Sequence, residues 1–361
     1  MQPPIPYSPD VETIAEDEAE TLQQLEEALR QILETTAEDY GHALRSVHAK
    51  SHAVIEGELA VLPDLPPELA QGLFARPARH PVLLRISTNP GDILDDSVTV
   101  PRGIALKVLE VEGPRLQNDG AATQDFLLVD GPAFLNRDAR GFLGGLQLLA
   151  RTTDRAEWAK KAMSAVLRGT ERALEAVGSQ SAMIKSMGGA PPLHPLGETY
   201  YSQVPFRYGE HVAKFSLVPV SPSLTCFAGQ EVSVHGRPDA LRAEMDKALR
   251  GGPFEWEFRV QLCRDLEEMP VEDASAVWSE EASPWLPVAR LTAGAQMGRG
   301  EVRRAAVDDH MRFWPWTGLA AHRPLGSVNR ARRETYRMSS EFRARVNRCP
   351  IHEPAALDLP R

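Results

Sequence analysis

Cysteine is scarce in this chain of 361 residues: Cys226, Cys263 and Cys349 are the three present, far apart and without a C-x-x-C pair. That spacing disfavours a disulfide framework and a structural zinc site, and a reducing, cytoplasmic location is expected. No uninterrupted apolar run reaches membrane-spanning length, and Met1–Glu20 is proline-rich and then acidic, with neither the basic nor the apolar region of a secretory signal. No membrane partner is expected. Basic residues are in deficit, 40 Lys+Arg against 50 Asp+Glu for a net charge of -10, which removes global attraction to nucleic-acid phosphate. No nucleic-acid partner is expected. The motifs G-x-x-x-x-G-K-[ST], G-x-G-x-x-G, H-E-x-x-H and G-x-S-x-G are all missing, so phosphate-loop, dinucleotide, zincin and serine-hydrolase readings lose their usual starting points.

What remains has the balance of a globular protein, 42% hydrophobic and 25% charged. Asp10 to Asp39 contains neither Gly nor Pro, and Leu22, Leu25, Leu29 and Ile32 recur at steps of three and four, which predicts an amphipathic N-terminal helical arm within residues 1–40. An apolar stripe outside the main body needs cover, and packing across a neighbouring subunit of a homo-oligomer is the expectation. Strand-like segments start at His52, Pro81, Gly103 and Phe126, and again at His211, Phe254 and Val288. Between the two groups, residues 138–190 read as a helical insert. Several β segments around one insert predict an antiparallel sheet or barrel in a single domain over residues 41–361. A terminal helix is expected over residues 327–348, with Ser327 as its N-cap.

On that terminal helix Arg332 and Tyr336 are one turn apart, and Arg343 follows seven residues on, so the three project from roughly one face. A cation beside a tyrosine favours the phenolate, and tyrosine is one of the few side chains that hold haem iron. Arginines nearby suit carboxylates through charge-assisted pairs. His48, in Arg45-Ser-Val-His48-Ala-Lys50, is a candidate acid/base. Ser87 stands two residues after Arg85 on a predicted strand, on the same side, where it can orient an imidazole.

These residues resemble the catalase superfamily. Its signatures, in order, are matched by Arg45 to Lys50, by Arg85-Ile-Ser-Thr88, by Pro101-Arg102-Gly103-Ile-Ala-Leu-Lys-Val, by Asp125 with Pro132, Phe134, Arg137, Asp138 and Phe142, and by Arg332, Tyr336 and Arg343. The resemblance implies an α+β fold, an eight-stranded antiparallel β-barrel with flanking helices that buries haem b. It implies Tyr336 as the iron ligand supported by Arg332, His48 and Ser87 as catalytic residues, Arg45, Arg85 and Arg343 on the haem propionates, and Phe142 against the ring.

One departure bears on function. Where the superfamily carries a distal asparagine this chain has Val129, followed by Asp130. The expected function is therefore a haem-dependent peroxidase of the shorter catalase-related type, reducing hydrogen peroxide or organic hydroperoxides with an organic donor. Disproportionation of hydrogen peroxide, isomerisation of a hydroperoxide, and a non-catalytic haem-binding barrel are the alternatives. Whether Asp130 faces the site depends on strand register, which a one-residue slip inverts.

Overall fold

Along residues 51–61 the small and branched side chains Ala53, Ile55, Leu59 and Val61 fall on alternate positions and are all buried, the period that a strand with one inward face requires. The computed structural model describes residues 2–117, 120–150, 191–298, 300–357 and 359. Nine strands form one sheet: β1 (Ser51–Val61), β2 (Arg79–Thr88), β3 (Arg102–Val108), β4 (Gln124–Val129), β5 (Tyr200–Tyr201), β6 (Phe206–Tyr208), β7 (His211–Pro219), β8 (Phe254–Leu262) and β9 (Leu286–Ala293). The order is β5-β4-β3-β2-β1-β9-β8-β7-β6, and a further pairing of β5 with β7 closes eight strands into an antiparallel barrel with β6 appended. Closure removes the open edges that a sheet of this size would otherwise expose.

The barrel is full. Phe126 lies 4.8 Å from Phe258 and 5.0 Å from Phe215 between ring centroids, and Phe74 lies 5.4 Å from Phe258. The fully buried His322 sits among them and accepts the backbone N–H of Leu73 on Nε2 at 2.9 Å. Each such phenylalanine stabilises the fold by roughly 2–3 kcal/mol relative to an exposed one. These rings pack the barrel interior, and the cavity described below lies on the outer wall of the barrel.

Helix α1 (Glu18–Tyr40) ends at Gly41, whose φ of 64° is the left-handed conformation that closes many helices. It starts eight residues later than periodicity alone predicts. Glu12 is held away from a helix by accepting from Arg330 and from the N–H of Gly326. Leu25, Leu29, Ile32 and Leu33 pack on Leu143 and Leu146 of α2 (Ala139–Ala150) and on Met338 and Phe342. The arm thus buries its apolar stripe against helices of its own chain. The rest of the expected insert, 151–190, lies outside the described residues.

Among the described residues two longer helices, α3 (Ala240–Leu249) and α4 (Glu301–His310), also precede the terminal helix α5 (Ser327–Val346). Gly326, not Ser327, occupies the cap of α5. A side chain at 326 would meet the Val271 carbonyl oxygen at 2.6 Å, and φ there is 82°. Ser327 instead accepts from the N–H of Ala139. Trp314 and Trp316 donate their indole N–H groups to the carbonyls of Arg332 and Asn329, fastening α5 beside the wall. Among the described residues no helix is long and apolar enough to cross a membrane.

Candidate active site

The outer face of β2, β3 and β4 carries two rungs of aligned residues. Ser87 pairs with Gly103 and Gly103 with Val129; Arg85 pairs with Ala105 and Ala105 with Leu127. Because side chains alternate, Leu84, Ile86, Leu106 and Phe126 point into the barrel while these six point out. Across from them α5 contributes Arg332, Tyr336, Ser339, Ser340 and Arg343, which recur at helical spacing on one face. Together with Arg45, His48, Arg312 and Phe313 they line a partly open cavity, whose roughly 650 Å³ of empty space includes open solvent.

His48 is placed by its backbone. Its φ of 56° is rare for a residue with a side chain and costs about 1–2 kcal/mol. Its N–H donates to the Asn89 carbonyl at 2.6 Å, which holds the turn. The imidazole then lies on Gly103, where a Cβ would stand 2.6 Å from His48 Cε1. Ser87 Oγ is 3.2 Å from His48 Nδ1. Burial, and then the charges of Arg85, Arg332 and Arg45, push the imidazole pKa down to about 3, so the ring is neutral at pH 7.

Arg45, Arg85 and Arg343 meet at one edge. Arg85 Nε donates to Asp308 Oδ1 at 2.6 Å, and Arg45 and Arg343 donate to carbonyls of residues 307–311. Burial lowers the pKa of Arg343 to about 10. For Tyr336 burial prevails: its phenol is raised above the ordinary value although Arg332 and Arg45 both pull it down. The phenolate expected from Arg332 alone is therefore disfavoured in the protein by itself, and a cation bound at Tyr336 Oη would be needed to draw the proton off.

Seven of the eight residues singled out in the sequence line this one cavity: Arg45, His48, Arg85, Ser87, Arg332, Tyr336 and Arg343. Phe142 does not. It packs against Phe134, ring centroids 5.4 Å apart, in the cluster between α1, α2 and α5, because the apolar face of α2 turns toward those helices. Asp130 also points away, paired with Arg102 at 2.8 Å and raised to about pKa 6 by burial, while Val129 faces the cavity. Gly103, Ala105, Leu127, Phe313 and Asp308 were not anticipated. The first three follow from extending the Arg85/Ser87 alternation across the sheet; the last two carry no local signal.

The residues fit a flat ring bearing two carboxylates. No carboxylate lines the cavity among the described residues, five guanidinia do, and the Nε atoms of Arg45 and Arg343 are buried without a hydrogen-bond partner. The apolar stretch Ala105, Leu127, Val129 and Phe313 suits the ring itself, and Tyr336 supplies an oxygen donor.

No protein-family model and no curated protein matches the chain. Among solved structures it is similar to catalase A from Saccharomyces cerevisiae, with a TM-score of 0.59 and 19% identity over 86% of this chain and 63% of that one. A fungal catalase gives 0.58 and 18% over 91% and 67%, and a bacterial catalase 0.57 and 18% over 86% and 60%. The chain thus spans 60% to 67% of the length of these catalases, and the likeness is one of fold.

Proposed function

We propose that this chain, which has the catalase fold, is a haem-dependent oxidoreductase of the peroxidase type, reducing hydrogen peroxide or organic hydroperoxides with an organic donor. The observation that carries the reading is one cavity faced by His48 and Ser87 from the barrel wall, by Tyr336 and Arg332 from α5, and edged by Arg45, Arg85 and Arg343. Tyr336 Oη would hold the iron, and the three edge arginines would hold the propionates. Bound haem supplies the iron at which the peroxide O–O bond is split and electrons from a donor are accepted.

The remaining chemistry belongs to the chain. With Nδ1–H donating to Ser87 Oγ, His48 presents the Nε2 lone pair that takes a proton from the hydroperoxide and returns it to the leaving oxygen. Burial depresses His48 most; were Arg45 and Arg85 to hold two propionates, their share of the depression would be offset and the basicity of His48 would rise. Val129 and Leu127 offer the peroxide an apolar wall with no carboxamide, which supports an organic hydroperoxide over disproportionation. The same wall supports a second reading, rearrangement of a hydroperoxide without a donor.

The test is a haemin titration followed by product analysis. A ferric spectrum that changes in Tyr336→Phe, with alcohol formed from an alkyl hydroperoxide as donor is oxidised, bears the proposal out. Epoxide or ketol without donor consumption selects rearrangement, and no haem uptake refutes both.

A further inference from the structure

The cavity edge is built from donors that already have an occupant. The last turn of α4 presents the carbonyls of Val307 and Asp308, and Met311 follows directly. Arg45 Nη2 donates to these three oxygens at 3.0, 3.4 and 2.9 Å. Arg343 donates through Nη1 to the Asp308 carbonyl at 2.5 Å and through Nη2 to that of Met311 at 3.2 Å. The Asp308 side chain accepts from Arg85 at 2.6 Å and stands 4.0 Å from Arg45 Nε. Three guanidinia from β2, α5 and the segment before β1 thus converge on the negative end of one helix and on one carboxylate.

That carboxylate does not balance the cluster. Arg45 and Arg85 are 12% and 2% exposed in their side chains, Arg343 is equally enclosed, and Arg45 and Arg343 each retain a buried Nε with no partner. Asp309, which pairs with His42 at 2.8 Å, also acts on Arg45 and Arg343, so three buried cations face two carboxylates and a net positive charge remains at this edge. Buried charge in that state calls for further anions.

We propose that Asp308 is a resident anion in this three-arginine seat, occupying one of its places and so limiting how tightly the seat takes carboxylates from outside. The inference rests on the haem reading, in which the two propionates are the incoming carboxylates. It assigns Asp308 as a specificity-determining residue: an incoming carboxylate must share Arg85 and Arg45 with it, and must also compete with the carbonyls that fasten α4.

The test uses the full chain and two metal-free probes, protoporphyrin IX, which has two carboxylates, and its dimethyl ester, which has none. Neither contains iron, so fluorescence quenching reads the seat independently of Tyr336 and of peroxide turnover. Wild type is expected to prefer the diacid. Asp308→Asn should bind the diacid at least ten-fold more tightly than wild type with the diester unchanged, and Asp308→Glu should match wild type. Unchanged or weaker diacid binding by a folded Asp308→Asn would overturn the proposal and make Asp308 a strut for Arg85. Should that variant not fold, amide exchange of residues 301–311 in wild type decides: faster exchange with the diacid but not the diester supports shared donors, and equal exchange overturns them. Binding of neither probe by wild type refutes the haem reading, and this inference with it.

Discussion

Ser87 Oγ lies 3.2 Å from Nδ1 of His48, and the imidazole stands over Gly103, which pairs with Ser87 across β2 and β3. The hydroxyl controls the rotation of the ring and the glycine controls its height. Removing the hydroxyl in Ser87→Ala frees the imidazole to turn, and loss of such an orienting partner typically costs about 10–100-fold in activity. The expected result is lower kcat with peroxide at unchanged haem spectrum and unchanged haem affinity. Loss of haem together with activity would assign Ser87 to the scaffold instead.

Gly103→Ala tests the same relationship from below. The new methyl would come within 2.6 Å of His48 Cε1, so the ring must lift or the turn that carries it must shift. Overpacking of this kind costs about 1–3 kcal/mol, read as a lower urea midpoint. Turnover should fall more than stability predicts, because the displaced atom belongs to the candidate acid/base. A variant as active as wild type would remove His48 from the chemistry.

Much of this wall is legible in the sequence, since Arg85 and Ser87 alternate with Leu84 and Ile86, and one polar face plus one apolar face is what a barrel strand must show. The position of Asp130 was not legible: it follows the last residue of β4, where pairing with Arg102 rather than periodicity decides its direction. Strands β5 and β6 hold two and three residues, too few for any period to register. The start of α1 is set by the partnership of Glu12 with Arg330, and Asp308 meets Arg85 across 223 positions of chain. Contacts between charged side chains so far apart leave no local trace, whereas apolar alternation does.

Beyond the cavity the same wall carries a buried ion cluster. Lys107 Nζ lies 2.7 Å from Asp125 Oδ1 and 2.6 Å from Glu353 Oε2, with Lys107 and Asp125 fully buried, and Glu353 also pairs with Arg312 on the cavity rim. Burial raises Asp125 to about pKa 7 although Lys107 pulls it down. Lys107→Met leaves two carboxylates without their shared cation and should cost about 3–5 kcal/mol in unfolding free energy. The double variant Lys107→Met with Asp125→Leu should recover part of that loss. No recovery would mean that packing, not charge, dominates the site.

His322 makes stability depend on acid. Burial lowers its pKa to about 3 in the folded chain, whereas an unfolded histidine titrates near 6.5. Between those values the unfolded state binds a proton that the native state does not, so stability falls as pH falls from about 6.5 to about 3 and is level above. The slope from one such group is about 1.4 kcal/mol per pH unit. His322→Gln should reduce the slope of unfolding free energy between pH 6 and 4 by about that amount, whatever its effect at pH 7. An unchanged slope would show that the ring is protonated in the folded barrel.

Val129 shares a rung with Gly103 and Ser87, so a side chain at 129 faces the cavity two strands from the hydroxyl that orients His48. An apolar group there gives hydrogen peroxide nothing to bond with and an alkyl hydroperoxide a surface to pack on. Val129→Asn places a carboxamide at the position where the catalase resemblance expects one. Its burial without full hydrogen bonding should cost about 1–3 kcal/mol in stability. On the haem-loaded protein, oxygen release from hydrogen peroxide should rise several-fold relative to donor oxidation, measured side by side with an oxygen electrode and a chromogenic donor. If instead the ratio stays fixed while the variant folds and takes up haem, the residue at 129 does not decide between the two fates of peroxide, and the cause must lie in how donors reach the cavity rather than in its wall.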